Sequence, residues 1–140
     1  MVKVRLYLVR HGRTMFNAIG RAQGWSDTPL TAEGERGIQE LGIGLRESGL
    51  QFERAYSSDS GRTIQTMGII LKELGLQGEI PYRMDKRIRE WCFGSFDGAY
   101  DGDLFMGIIP RIFNVDHVHQ LSYAELAEGC LLYTSPSPRD

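Results

Sequence analysis

The chain has 140 residues, of which 41% are hydrophobic and 24% are charged, and its formal net charge is −2. This composition is typical of one globular domain or part of one, and the lack of a basic surplus argues against a general nucleic-acid binder. We expect a cytoplasmic protein, because the chain has two cysteines, no run of about 20 apolar residues and no apolar leader.

The N-terminal half predicts one strand, a loop and one long helix. Residues 2–9 are rich in β-branched and aliphatic side chains, which favour a strand. A polar, glycine-rich stretch follows and predicts a loop. Thr31 is a candidate N-cap, and apolar residues at helical spacing continue from it until Gly49, a good helix stop.

The next segments continue the alternation of strand and helix. Residues 52–57 predict a second strand, residues 61–74 a second helix that ends at Gly75, and residues 79–82 a third strand. This order predicts an α/β fold with three α/β/α layers and a mostly parallel sheet.

The C-terminal part is less regular. Residues 89–103 have the glycine content of a loop, and residues 104–118 are apolar and predict a short helix that Pro110 breaks. Ser122 and Glu125 have the spacing of a capping box and predict the start of another helix.

The composition changes again at Cys130. Residues 130–140 show neither helical nor strand periodicity, and they resemble the translation of a sequencing-library transposase adapter. We interpret them as a non-native tail and residues 1–129 as the genuine domain sequence. The alternative is a natural disordered tail rich in serine and proline. On the first interpretation, the natural protein continues past Gly129.

His11 is the first candidate for catalysis. It follows the first predicted strand, and open α/β sheets bind ligands at the carboxyl ends of their strands. Neighbouring cations such as Arg10 lower the pKa of an imidazole and stabilise a transferring phosphoryl group. We therefore expect a histidine nucleophile at an anion site, with Gly12 allowing backbone amides to approach the anion. A lone histidine is otherwise usually structural.

Arg62 is the second candidate. It lies in the first turn of the second predicted helix, where the helix dipole disfavours a cation. This mismatch indicates an anionic partner, and the helix N-terminus would add free amides for the same anion. The alternative is a surface arginine paired with Asp59.

Glu90 is the third candidate. It precedes residues 91–96, a segment with three aromatic side chains. Partial desolvation of a carboxyl group favours its protonated form, which suits an acid that protonates a leaving alcohol. The alternative is an aromatic core patch, with Arg89 and Glu90 as a solvated pair.

These motifs together resemble the histidine phosphatase superfamily, also called the phosphoglycerate mutase-like family. Residues 8–14 match its signature, and residues 27–34 match its Pro-Leu-Thr-x-x-Gly stretch. Residues 57–66 match the segment of its second phosphate-binding arginine, and residues 89–98 resemble the segment of its acid/base glutamate.

The resemblance implies a role for each candidate. His11 would form a phosphohistidine intermediate, Arg10 and Arg62 would clamp the phosphate, and Asn17 would contact it. Glu90 would protonate the leaving group and then act as base for the incoming water. Neither a metal nor another cofactor is implied. The partner would be a small phosphorylated metabolite, with no nucleic acid or membrane involved and the oligomeric state left open.

The chain departs from the family in one respect. The family uses a second pocket histidine, in a His-Gly pair near the end of a later strand, whereas His117 and His119 do not precede glycine. Residues 1–129 would thus be the N-terminal part of a histidine phosphatase domain, incomplete at its C-terminus. Because the later strand normally pairs with the first, we expect low stability and little activity.

Three functions remain open at this point. Phosphomonoester hydrolysis through phosphohistidine is the leading hypothesis, and residues 91–94 favour it. The first alternative is a phosphoglycerate mutase, which returns the phosphoryl group to a substrate hydroxyl. The second is a non-catalytic fragment that binds a phosphorylated ligand. The substrate is not readable, since residues 104–118 could either cap the site and select an apolar leaving group or pack in the core.

Overall fold

Two long helices and a pair of short parallel strands form the framework around the predicted site. A computed structural model describes residues 4–122 and 124–126, so the predicted tail lies outside the described residues. Within these ranges no helix has the length and apolar character needed to cross a membrane. In chain order the helices and strands are α1 (Met15–Ala18), α2 (Ala32–Glu47), β1 (Ala55–Ser57), α3 (Gly61–Leu74), β2 (Tyr82–Met84), α4 (Asp101–Asp103) and α5 (Ile109–Phe113).

The helix α2 begins and ends at the predicted signals. The Thr31 side chain accepts a hydrogen bond from the Gly34 N–H at 3.0 Å, which satisfies one of the free amides of the first turn. The helix ends at its C-cap Ser48, and Gly49 follows with a φ of 70°. A left-handed residue at this position favours glycine, so the local sequence fixes where α2 stops.

The helix α3 has the predicted bounds and packs along α2. It ends at Gly75, which has a φ of 68°. Ile38, Ile70 and Leu30 form the buried centre of the contact between the two helices. A Cβ atom on Gly42 would lie 2.7 Å from Cβ of Glu73, so glycine allows the close approach of α2 and α3 here.

The parallel pairing of β1 and β2 confirms the predicted α/β class. Ala55 is in register with Tyr82, and Ser57 with Met84. The strand β2 corresponds to the predicted third strand, 79–82, but begins three residues and ends two residues later than predicted. A turn in which the Glu79 N–H donates to the Leu76 carbonyl occupies the start of that segment, and pairing follows it.

The predicted first strand is not formed by the residues that the structure describes. Residues 4–9 have no regular secondary structure, and no backbone hydrogen bond joins them to the rest of the described chain. Val4, Leu6 and Leu8 are 85%, 73% and 87% exposed, whereas Tyr7 packs edge-on against Phe52. β-propensity favours an extended backbone, but a strand also needs a neighbour that accepts and donates hydrogen bonds.

A second core lies between the N-terminal loop and the C-terminal segments. Its buried residues are Ala22, Phe93, Leu104, Ile109 and Leu126. The predicted loop 89–103 contains a 3-10 turn, Gly94–Phe96, and the short helix α4 at its end. Two further 3-10 turns are Lys86–Ile88 and Val118–Gln120.

The predicted short helix within 104–118 consists of a π-helical segment, Leu104–Ile108, and α5. Pro110 lies in the first turn of α5, where the backbone N–H has no partner within the helix. The prediction that Pro110 breaks the helix is therefore wrong. The capping box is confirmed: the Ser122 N–H donates to Glu125 Oε2 at 2.8 Å, and the Glu125 N–H donates to Ser122 Oγ at 3.3 Å.

We expect Ile38→Ala to lower the free energy of unfolding by about 2–5 kcal/mol, because it leaves a cavity between α2 and α3. Ile38 is 6% exposed. Leu6→Ala is the matched control, since Leu6 is 73% exposed; it should change stability by less than about 0.5 kcal/mol. Urea denaturation followed by circular dichroism measures both, and equal losses would contradict the assigned core.

Candidate active site

A cavity of about 500 Å³ lies between the loop that carries His11 and the segment that carries Glu90. It brings together four of the predicted site residues: Arg10, His11, Asn17 and Glu90. The other residues that line it are Arg21, Ala22, Gln23, Trp91, Phe93, Asp101 and Phe105.

The half-buried imidazole of His11 has one defined hydrogen bond. Its Nδ1 lies 2.8 Å from the carbonyl oxygen of Gly12. A carbonyl oxygen only accepts, so Nδ1 carries the proton in the neutral ring. This tautomer leaves the lone pair on Nε2, which is the nitrogen able to attack an electrophile.

The pKa of His11 is lowered from its ordinary value of 6.5. Burial is the largest cause, the Gly12 carbonyl opposes it, and the charges of Arg62 and Arg10 lower the pKa further. The nearby Glu90 raises it. The predicted direction is confirmed, but burial rather than the arginines contributes most. The shift keeps the ring neutral, as a nucleophile requires.

Arg62 is buried, with 1% of its side chain exposed, and it is not among the residues that line the cavity. Its Nη2 donates to the Gly24 carbonyl at 2.8 Å, and its Nη1 donates to the Ser26 carbonyl at 3.0 Å and to Asp27 Oδ1 at 3.1 Å. The alternative prediction, a surface Arg62 paired with Asp59, is therefore wrong. Within the described residues, Nε of Arg62 is buried without a hydrogen-bond partner.

Asp27 also occupies the N-terminus of α3. Its Oδ2 accepts from the Gly61 N–H at 2.6 Å, and its Oδ1 accepts from the Arg62 N–H at 3.3 Å. The N-cap residue, Ser60, makes no capping bond with its side chain. The expectation that these amides are free for a bound anion is therefore wrong. Asp27 is the anion that compensates a cation in the first turn.

Gly12 has a different role from the one predicted. Its N–H donates to Thr66 Oγ1 at 3.1 Å, and that hydroxyl donates to the Arg62 carbonyl at 2.8 Å. The amide is thus engaged with α3 rather than with an anion. Glycine is required because a Cβ atom would lie 2.9 Å from the Gly34 carbonyl oxygen. This packing ties the His11 loop to both long helices.

Asn17 presents a hydrogen-bond donor at the cavity. Its Oδ1 accepts from the N–H of Thr14 at 3.1 Å and from the hydroxyl of Thr14 at 3.0 Å, within the capping box of α1. These bonds fix the orientation of the amide. Nδ2 then has no partner within the described residues and can donate to a ligand.

Glu90 lines the cavity but is exposed, contrary to the expected desolvation. The aromatic side chains that follow it instead belong to the second core, where Phe93 is buried and Trp91 and Phe96 pack against it. The aromatic-core alternative is therefore confirmed.

The other half of that alternative, a pair between Arg89 and Glu90, is wrong. Arg89 makes two 2.6 Å bonds to Asp59 and stacks on the ring of Trp25. The Trp25 indole N–H in turn donates to the backbone carbonyl of Glu90 at 3.1 Å. These contacts fix the backbone at Glu90, and its Oε1 accepts a hydrogen bond from the Trp91 N–H at 2.9 Å.

Sequence reasoning missed Gln23. Only 9% of this residue is exposed, its Oε1 lies 2.5 Å from Thr14 Oγ1, and its Nε2 is buried without a partner in the described chain. It lines the cavity and so offers a second amide beside Asn17. A polar residue in a glycine-rich loop gives no local signal of burial.

The C-terminal segments contribute to the cavity in part. Phe105 lines it, whereas Leu104 and Ile109 are buried in the core. Core packing of part of residues 104–118 is therefore confirmed, and selection of a leaving group by this segment stays a prediction. His117 and His119 are exposed and do not line the cavity. Among the described residues, His11 is therefore the one histidine at the site.

Comparisons with known proteins agree on one family. The family model "Histidine phosphatase superfamily (branch 1)" matches residues 6–104. Over 58 residues the chain is 48% identical to "Probable phosphoglycerate mutase GpmB" of Salmonella choleraesuis, a match that covers 41% of this chain and 26% of that protein.

Solved structures show the same fold. The phosphoglycerate mutase of Bacillus anthracis is similar with a TM-score of 0.76 and 33% identity, over 87% of this chain and 53% of that one. A mycobacterial glucosyl-3-phosphoglycerate phosphatase has a TM-score of 0.57 and 28% identity, over 67% of this chain and 43% of that one. The chain thus covers about half the length of these structures.

We predict that nuclear magnetic resonance titration of the His11 ring gives a pKa below 6.5 and that Arg10→Gln raises it, because a nearby cation is lost. Arg36→Gln, an exposed arginine of α2, is the control and should leave it unchanged. A wild-type value at or above 6.5 would contradict the described environment.

The same shift has a consequence for stability. The folded chain binds a proton to His11 less readily than the unfolded chain, so this residue lowers stability as pH falls below about 6.5.

Proposed function

Because the chain belongs to the histidine phosphatase superfamily (branch 1), we propose that it hydrolyses phosphomonoesters through a phosphohistidine intermediate on His11. One observation carries the proposal: His11 lines a cavity as a neutral ring, with its proton held on Nδ1 by the Gly12 carbonyl. Small phosphorylated compounds are the substrates of this superfamily.

In the first step, Nε2 of His11 attacks phosphorus and the bond to the leaving oxygen breaks. Glu90, at the cavity wall, donates a proton to that oxygen and releases an alcohol. In the second step, the Glu90 carboxylate takes a proton from water, which attacks the phosphohistidine. Inorganic phosphate leaves, and His11 and Glu90 return to their starting forms.

Cationic and amide groups compensate the charge of the transferring group. Arg10 lines the cavity, and Arg62 lies close enough to lower the pKa of His11. Each cation stabilises the negative oxygens on phosphorus as the transition state forms. Asn17 Nδ2 provides a neutral donor at the same wall. This set supports phosphate-binding roles for Arg10 and Asn17 at the cavity wall. The role of Arg62 is supported by its charge alone, because its side chain is 1% exposed and bonded to Asp27.

Phosphoryl transfer to a second hydroxyl is the alternative chemistry. It is favoured by the names of two similar proteins, each a phosphoglycerate mutase, and the first step would be identical. The apolar wall formed by Trp91, Phe93 and Phe105 favours hydrolysis of an ester with an apolar leaving group. A phosphate-binding protein without turnover is the third possibility, and we expect slow turnover because the described cavity has one histidine.

The nucleophile is tested by His11→Ala, which should reduce phosphate release from p-nitrophenyl phosphate by about 10³-fold or more. His119→Ala is the matched control, since His119 is exposed and away from the cavity, and it should retain the wild-type rate. Product analysis with 3-phosphoglycerate then separates free phosphate from the isomeric ester. Turnover that survives His11→Ala would refute the proposal.

The role of Glu90 is tested by varying the leaving group. Glu90→Gln should slow hydrolysis of an alkyl phosphate by about 10²–10⁴-fold, because the alkoxide needs a proton as it leaves. Hydrolysis of p-nitrophenyl phosphate should lose less in the first step, since nitrophenolate leaves without one. Glu40→Gln, on the exposed face of α2, is the control. Because the second step is common to both substrates, the losses are compared in the burst of leaving group that reports the first step, and equal losses there would argue against an acid at this position.

A further inference from the structure

Asp97 does not line the cavity, but its carboxylate is hydrogen-bonded to the backbone of residues 24–26. Its Oδ1 accepts from the Gly24 N–H at 2.7 Å, and its Oδ2 accepts from the Trp25 N–H at 3.0 Å and the Ser26 N–H at 3.2 Å. Three successive amides, defined here as the 24–26 loop, thus bind one carboxylate. Hydrogen bonds to an ionised acceptor are about twice as strong as neutral ones, so this contact holds the loop firmly.

The same loop holds the buried cation. The Gly24 carbonyl accepts from Nη2 of Arg62 at 2.8 Å, and the Ser26 carbonyl accepts from Nη1 at 3.0 Å. One peptide group, that between Gly24 and Trp25, therefore bridges the two charges directly. Its N–H points to Asp97 and its carbonyl points to Arg62, so each charge polarises the bond to the other.

The orientation of Nη2 depends on this bridge. Asp27 bonds Nη1 of Arg62 and is partly exposed, whereas the Gly24 carbonyl is the partner of Nη2 within the described residues. The close packing around Gly24 excludes any larger side chain at this position. A Cβ atom there would collide with the Trp91 carbonyl oxygen and lie 2.9 Å from Asp97 Oδ1.

We propose that Asp97 is a positioning residue, which holds the 24–26 loop so that its carbonyl groups fix the Arg62 guanidinium beside His11. Asp97 touches neither substrate nor the reacting atoms. The inference rests on the proposed function only where it treats Arg62 as a phosphate clamp. The arrangement itself can be measured without any substrate.

The test is the nuclear magnetic resonance titration of His11 in Asp97→Asn, a variant of the same shape. The amide of asparagine replaces one accepting oxygen with a donor, which faces the loop N–H groups and releases them. Arg62 then moves, its charge acts less on His11, and the pKa of His11 rises. Asp116→Asn, an exposed acid far along the chain, is the control and leaves this pKa unchanged.

A merely structural role gives a different result. Asp97→Asn would then lower the melting temperature, but the folded fraction would keep the wild-type pKa of His11, and this outcome overturns the inference. The titration requires no turnover, so a raised pKa supports Asp97 even if no phosphate is released. Phosphate release that depends on His11, with an unchanged pKa in Asp97→Asn, supports the proposed function and rejects the inference.

If Asp97→Asn does not fold, hydrogen exchange in the wild-type chain decides. The bridge predicts that the Arg62 guanidinium protons and the Trp25 and Ser26 amides exchange through one opening event, with the same dependence on denaturant. Amides that open while the Arg62 protons stay protected would overturn the inference.

Discussion

The buried guanidinium of Arg62 is the interaction on which the rest of the site depends. A cation that is 1% exposed needs compensation by charge and by hydrogen bonds, or its desolvation would oppose folding. Asp27 supplies the charge, and the carbonyls of Gly24 and Ser26 supply further bonds. These contacts join the start of α3 to the loop before α2. The same cation lowers the pKa of His11, so folding and the chemistry of the site share one group.

The site residues divide by their degree of burial. His11 is half-buried, and burial is the main reason why its ring stays neutral. Glu90 is exposed at the other wall, where it can exchange protons with water. The cavity therefore surrounds His11 and Glu90 with different degrees of solvation.

Sequence signals predicted the parts of the fold that local interactions decide. Thr31 marks the start of α2 because its side-chain oxygen bonds an amide of the first turn. Gly75 marks the end of α3 because its backbone is left-handed. Residues 4–9 show the limit, since a strand needs a partner that local sequence does not provide. The histidine and arginine motifs predicted that Arg62 acts on His11, and its charge does lower the pKa of that ring. The partners of Arg62, Asp27 and Gly24, could not be predicted, because those contacts span more than 30 residues of chain.

The most direct test of the phosphohistidine mechanism is to trap the intermediate. The chain is mixed with ³²P-labelled phosphomonoester, quenched in alkali within milliseconds to seconds, and digested for mass spectrometry. The mechanism predicts a label that is stable in alkali, labile in acid and located on Nε2 of His11. Phosphate release without a labelled chain, or a label on any other residue, would contradict it.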